Sequence, residues 1–289
     1  VTSSVFPDED GASRYDVKDL SVSHDGNRLL FAMRAPEIED ADEDEQPTWN
    51  IWEYDIPSDA LRRIVDSDVI AEAGQDIAPA YLPDGRIVFS STRQRSSRAI
   101  LLDEGKPQYP ALDEDRQGPA FVLHVMDADG SGIEQITFNQ SHDLDPAVAP
   151  DGYILFSRWD NAGQTRNNGA NLYRVNPDGT ELTYLFGRNS HNGLIGEDTV
   201  QFLEPVPEDN GSVRVSVRPW EATDARTVVA DIDVARFVEA DRTIEGDTGE
   251  GVEPLVLPDL ALPADISLEG EFGPVSELND GTGRYLMSW

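Results

Sequence analysis

The sequence predicts an all-β chain, a β-propeller of four-stranded antiparallel blades with about four blades complete and part of a fifth. Three observations carry that expectation. A turn of the Asp-Gly or Asn-Gly kind recurs at Asp25-Gly26, Asp84-Gly85, Asp151-Gly152, Asn210-Gly211 and Asp280-Gly281, at intervals of 59, 67, 59 and 70 residues. A short apolar run follows each turn, as in Leu29-Leu30-Phe31, Ile87-Val88-Phe89 and Ile154-Leu155-Phe156. A third run, a second turn and a fourth run then complete the unit. A repeat of this size with several strands per period is the signature of a blade.

Each element has a local reason. Upstream of the turns, Asp76-Ile77-Ala78-Pro79-Ala80-Tyr81 and Asp143-Leu144-Asp145-Pro146-Ala147-Val148 supply an incoming strand. The glycine accepts a positive φ without steric cost, so the turn closes a hairpin with the second strand. Third strands are Trp49-Asn50-Ile51-Trp52-Glu53-Tyr54, Phe121-Val122-Leu123-His124-Val125-Met126 and Asn171-Leu172-Tyr173-Arg174-Val175. Turns such as Asp127-Ala128-Asp129-Gly130 and Asn176-Pro177-Asp178-Gly179 lead into short fourth strands near 61–64, 133–137 and 181–185. The blades fall at 17–66, 76–138, 143–187 and 199–233, with a partial one at 274–289. Three segments interrupt the period. Residues 37–48 are too acidic to pack and read as a solvated, mobile loop. Residues 93–120 are longer than most loops and read as an ordered, functional insertion. Residues 239–279 read as a long inter-blade connection, with 254–258 as an extended edge. Both ends look cut from a longer propeller. An unclosed propeller leaves blade faces bare, so the isolated segment is expected to aggregate or to melt without a sharp transition.

Composition narrows the function. The 289 residues carry 22 Lys+Arg against 56 Asp+Glu, a formal net charge of −34. Phosphate contacts need clustered cations, so general nucleic-acid binding is excluded and anionic lipid is disfavoured. No apolar run is long enough to span a membrane. The absence of cysteine excludes disulfides, Cys-ligated zinc, iron–sulfur clusters and covalent haem within this stretch.

Two sets of motifs resemble known families. Asp76-x-x-Pro79, Leu82-Pro83-Asp84-Gly85-Arg86-Ile87-Val88-Phe89-Ser90, Asp127-Ala128-Asp129-Gly130 and Gln135-Ile136-Thr137 resemble the WD40-like repeat of the periplasmic TolB protein. The third unit repeats the pattern with Asp143-x-Asp145-Pro146 and Ala149-Pro150-Asp151-Gly152. Asn50-Ile51-Trp52-Glu53-Tyr54-Asp55, Leu101-Leu102-Asp103-Glu104-Gly105-Lys106-Pro107 and Gln140-Ser141-His142-Asp143-Leu144-Asp145-Pro146 resemble a secreted bacterial family. That family is related to the middle, propeller domain of the hydrazine synthase alpha subunit. The resemblance implies a propeller and a periplasmic or extracellular compartment. It does not carry over haem, which needs a Cys-x-x-Cys-His motif.

Among the four histidines, His124 alternates within a strand and reads as packed, and His24 reads as a turn residue. His142 begins an innermost strand, the kind that lines a propeller channel, and His191 precedes the next blade. Together with Asp143 and Asp145 they form a candidate divalent-metal site, suited to zinc. The competing reading is that Asp76 and Asp143 cap the starts of their strands. Asp127-Ala128-Asp129-Gly130 is a turn rather than a calcium loop, because position twelve is Phe138 instead of a bidentate Glu. No phosphate loop, His-Glu-x-x-His or Gly-x-Ser-x-Gly motif occurs. The function expected is a non-catalytic propeller scaffold that binds a protein or small ligand at the propeller mouth, with no cofactor other than that metal. The alternative is the propeller domain of a multidomain enzyme, a hydrazine-synthase-like redox complex or a serine peptidase, whose catalytic groups lie elsewhere.

Overall fold

A computed structural model describes residues 15–254 except 43–44, 108–109, 114–115, 161–168, 193, 195–198, 220–227, 245 and 247–248, together with 275–277 and 285–287. Within these residues the chain is all-β with propeller architecture. The first blade is β1 (Asp16–Val22), β2 (Arg28–Arg34), β3 (Asn50–Asp55) and β4 (Ala60–Arg63), a meander in sequence order. After the one-turn helix α1 (Asp68–Ala71) come β5 (Asp76–Tyr81), β6 (Ile87–Ser91), β7 (Val122–Met126) and β8 (Glu134–Gln135), with helix α2 (Arg95–Asp103) between β6 and β7. The third blade is β9 (Asp143–Val148), β10 (Ile154–Trp159), β11 (Ala170–Val175) and β12 (Thr183–Phe186). The fourth begins with β13 (Val200–Pro207), β14 (Val213–Pro219) and β15 (Val228–Ile232). A small hairpin, β16 (Phe237–Glu239) and β17 (Arg242–Thr243), precedes β18 (Val252–Pro254), which pairs with β15 and completes the sheet. The outer strand of this blade therefore lies well beyond the 199–233 span that the repeat suggests. The partial fifth unit contributes the antiparallel pair β19 (Val275–Glu277) and β20 (Tyr285–Met287).

The first turn of every blade is identical in length, at residues 23–27, 82–86, 149–153 and 208–212. Gly26, Gly85, Gly152 and Gly211 sit there with φ between +70° and +89°. A second positive-φ position recurs seven residues upstream, at Asp19, Ala78, Asp145 and Glu204, with φ between +50° and +57°. In β1, β5 and β13 the pairing register shifts at this place, so it is a β-bulge built into the innermost strand. Ala78, Asp145 and Glu204 each precede a proline, whose ring crowds the preceding residue out of right-handed helical space. The bulge also joins blades: the Asp19 carboxylate accepts the Ala78 N–H at 3.0 Å.

The turns between third and fourth strands do a different job. Gly130 (φ +82°) lies against the Ile64 carbonyl at the end of the first blade, and Gly179 (φ +81°) against the Ile136 carbonyl at the end of the second. A Cβ at position 179 would stand 2.7 Å from that oxygen, whereas one at Gly85 would meet nothing within 4 Å. Gly179→Ala is therefore expected to cost more than Gly85→Ala, which carries only the left-handed strain of about 1–2 kcal/mol. Urea melts of the two variants check this, and equal losses would remove the packing role of Gly179.

In the first two blades the longest connection joins the second and third strands, at 35–49 and 92–121. In a meander this end of the blade is also where the fourth strand hands on to the next unit. In the fourth blade the connection 233–251, with the β16–β17 hairpin, lies at the opposite end.

The chain divides into two compact units, residues 1–148 with 152–154 and 176–180, and residues 149–151 with 155–175 and 181–289. In the first, Leu30, Ile51 and Ile64 of the first blade pack on Tyr81, Ile87, Phe89 and Met126 of the second. In the second, Leu172 and Phe186 meet Val200, Phe202, Val215 and Ile232, with the Phe186 and Phe202 rings edge to face at 5.3 Å. The β16–β17 hairpin is fastened there by buried Glu239. Its carboxylate accepts hydrogen bonds from the Tyr184 hydroxyl (2.7 Å), the Ser190 hydroxyl (2.7 Å), the Asn189 N–H (2.9 Å) and the Asn189 side-chain amide (3.1 Å).

Candidate functional site

The first blade has two chemically distinct faces. Strand alternation sends Leu30, Ile51 and Ile64 to the face packed on the second blade. Cross-strand pairs Phe31–Trp52, Met33–Asn50 and Trp52–Arg63 occupy the other face. The loop after β2 lies beside this second face and borders a half-open cavity of about 590 Å³.

Gln46 shapes the roof. Its side-chain oxygen accepts the Ile38 N–H at 2.9 Å, and its amide donates to the carbonyls of Ile38 (3.0 Å) and Ala41 (3.1 Å). These three bonds tie Gln46 to Ile38 and Ala41 across the described part of the acidic segment. Ile38 and Pro47 thereby join Met33 and half-buried Trp52 as apolar walls.

Polar groups converge on the same space. Asn50 is 9% exposed and donates through its amide nitrogen to the Thr48 carbonyl (3.0 Å) and hydroxyl (3.1 Å). Its buried side-chain oxygen has no hydrogen-bond partner. A buried acceptor left unmade costs about 1–3 kcal/mol. Arg63, on the floor, is already committed. It donates to the carbonyls of Val65 (2.8 Å) and Asp66 (2.7 Å) and to the Asp68 carboxylate (2.5 Å). Glu45 and Glu72 complete the rim, both exposed.

A second, far smaller cavity of about 50 Å³ lies in the long insertion of the second blade. Arg93, Arg95, Ser96, His124, Ile133 and Gln135 line it. The His124 Nδ1 lies 2.9 Å from the Val122 carbonyl. A carbonyl only accepts, so Nδ1 carries the proton and Nε2 presents a lone pair, buried and without a partner. Burial pushes this imidazole down to about 4. The space suits an occupant of water size.

The residues proposed from the sequence as metal ligands are placed as follows. His142 accepts the Phe121 N–H through Nδ1 at 3.0 Å and stacks on the Phe121 ring. Asp143 is fully buried, and its backbone exchanges hydrogen bonds with Phe121 and the Ser90 hydroxyl. Asp145 takes the recurring positive-φ position of β9. His191, also buried, has Nδ1 2.6 Å from the Val200 carbonyl and Nε2 2.9 Å from the Asn171 side-chain amide. His142 falls in the first unit and His191 in the second. Among the described residues, no group of three or more His, Asp or Glu side chains could hold a metal ion. His24 is an exposed turn residue, and His124 is packed in its strand. Asp76 does more than cap β5: it holds a buried ion pair with Arg93.

No protein-family model and no curated protein matches the sequence. Solved structures do. Hydrazine synthase from Kuenenia stuttgartiensis is 19% identical with a TM-score of 0.52, over 76% of this chain and 31% of that one. TolB from Acinetobacter baumannii is 15% identical with a TM-score of 0.42, over 75% and 40%. The β-propeller domain of the Trilobed protease from Pyrococcus furiosus is 10% identical with a TM-score of 0.39, over 84% and 58%. The chain thus spans less than a third of the hydrazine synthase chain it matches. At 19% identity the likeness to the hydrazine synthase structure shows the fold alone.

Proposed function

We propose that this chain is a non-catalytic propeller domain whose first blade binds a small ligand, or one side chain of a protein partner, in the cavity between the β2–β3 loop and the β4–β5 connection. The observation that carries this reading is the half-open space of about 590 Å³ lined by Met33, Pro47, Asn50 and Trp52 and bordered by the Gln46-tied loop. The location differs from the central mouth expected from the repeat. It agrees with the general habit of scaffolds to place binding residues on loops. The TolB-like motifs support a periplasmic or extracellular setting. No helix among the described residues is long and apolar enough to cross a membrane.

A thermal-shift screen of the full chain against a diverse small-molecule set tests the reading. Ligands of this site bind the folded state alone and raise its stability, by about 2.7 kcal/mol at a hundredfold excess over Kd. The Trp52→Leu and Asn50→Leu variants should lose those shifts while keeping the ligand-free melt within about 1–2 kcal/mol of wild type. Hits whose shifts survive both substitutions would refute the site.

A further inference from the structure

We propose that helix α2 of one copy of this chain docks into the first-blade cavity of a second copy, with Leu102 as the apolar anchor and Arg95 and Arg98 against the acidic rim. The proposal rests on the reading of that cavity as a binding site and names the partner that fills it.

The helix stands out with no side chain packed beneath it. None of its nine residues is buried, and a helix shorter than about 12 residues is marginal in water without a packed face. Hydrogen bonds fasten only its first turn. Buried Gln94 accepts the Ala111 N–H at 2.7 Å and donates to the carbonyls of Ala111 and Ala120 at 3.1 and 2.7 Å. The Ser97 N–H reaches the Gln135 side-chain oxygen at 3.1 Å, and the Gln135 amide donates to the Ser97 hydroxyl at 2.6 Å. Arg95, Arg98, Ala99 and Leu102 stand at i, i+3, i+4 and i+7 and form one exposed stripe. Leu102 is 62% exposed. Arg95 and Arg98 make no ion pair among the described residues. On a chain of net charge −34, two unpaired arginines beside an exposed leucine fit an apolar hollow with a carboxylate rim. The first-blade cavity has that chemistry. Met33, Ile38 and Pro47 are apolar walls, and Glu45 and Glu72 stand exposed on the rim. Its volume of about 590 Å³ has room for a leucine side chain. Arg63, the cation of the lining, is neutralised by Asp68 and does not repel incoming arginines. Repulsion between two acidic chains is screened beyond about 8 Å at physiological salt, whereas pairs partly buried at a contact are screened much less.

Sedimentation velocity of the full chain at about 0.15 M salt should show association that grows with concentration up to about 100 μM. Leu102→Ala should weaken it about tenfold, because the anchor loses its apolar burial. The pair Arg95→Glu with Arg98→Glu should abolish it, and so should the pair Glu45→Arg with Glu72→Arg, since each sets like charges face to face. All five positions are exposed, so each variant should melt as wild type does. Mixing the two charge variants in equal amounts should restore association. The unaltered helix of one then meets the unaltered rim of the other, and the reversed surfaces match in turn. A wild type that stays monomeric throughout, association that survives either charge variant, or a mixture that stays monomeric would overturn the docking. If such a result comes while hits from the thermal-shift screen still bind, the cavity remains a ligand site and only the second copy as its occupant falls.

Discussion

Arg93→Ala should remove about 3–5 kcal/mol of stability, because it strips the fully buried Asp76 carboxyl, which burial pushes above its ordinary pKa, of the partner that offsets its desolvation. Both side chains are 1% exposed. The guanidinium donates to both Asp76 oxygens, the Nε bond being 3.0 Å, and the Ser91 hydroxyl adds a third bond at 2.7 Å. Its remaining N–H groups reach the Ile70 carbonyl at 2.5 Å and the Ala71 carbonyl at 3.5 Å. Arg93 thus satisfies the end of α1 from a distance of more than twenty residues, where that helix has no basic residue of its own. Glu72 of the cavity rim follows directly, so losing Arg93 should also loosen that wall. Chemical denaturation gives the stability, and a double variant supplies the control. Asp76→Leu with Arg93→Met should be less destabilised than Arg93→Ala alone, because an apolar pair leaves no orphaned charge. A loss below about 1 kcal/mol for Arg93→Ala would mean that water reaches the pair.

Acidification should unfold the chain partly through His124. Burial holds its imidazole at about 4, whereas an unfolded histidine titrates near 6.5. The folded pKa is depressed, so the unfolded chain binds the proton first. The stability is fully present above about pH 6.5 and falls as the pH drops toward 4, by about 1.4 kcal/mol per unit and about 3 kcal/mol across the window. His191 is also held below its ordinary range by burial and acts in the same direction. Protonating carboxylates on a chain of net charge −34 relieves self-repulsion and opposes the effect. The comparison is therefore between wild type and His124→Phe, each melted at pH 7 and pH 4.5. Wild type should lose about 2–3 kcal/mol more than the variant. Parallel losses would show that His124 is hydrated through its small cavity.

Much of this fold is written locally. The turns at Gly26, Gly85, Gly152 and Gly211 are legible because a two-residue signal fixes them and an alternating apolar run flanks them. The bulge was there to be read as well, since Ala78-Pro79, Asp145-Pro146 and Glu204-Pro205 stand at one offset from the turns. What the sequence conceals is long-range. Strand β18 has three residues and follows a Gly-rich stretch, so only its pairing with β15 makes it a strand. Helix α2 lies in an Arg- and Ser-rich segment with no buried residue of its own. Composition marks the acidic loop only by its charge, and the bonds from Gln46 to Ile38 and Ala41 follow no local pattern. The cavity depends on that loop returning to β3, a contact no spacing rule encodes. Histidine positions suggested a channel metal because turns and strand starts could be placed but ring partners could not. Phe121, Val200 and Asn171 supply those partners.

The most direct test of the central claim, a ligand site on the first blade, is amide hydrogen exchange of the full chain with and without a saturating hit from the thermal-shift screen. The β2–β3 loop carries the Ile38 N–H held by Gln46 and borders the cavity lined by Asn50 and Trp52. The bound hit should slow exchange at residues 38–42 and 45–52, and near Glu72, because ligand binding makes local opening rarer. Amides of the third and fourth blades should exchange as before. Protection centred on the innermost strands β1, β5 and β9, with residues 38–52 unchanged, would contradict the account and return the ligand to the propeller channel.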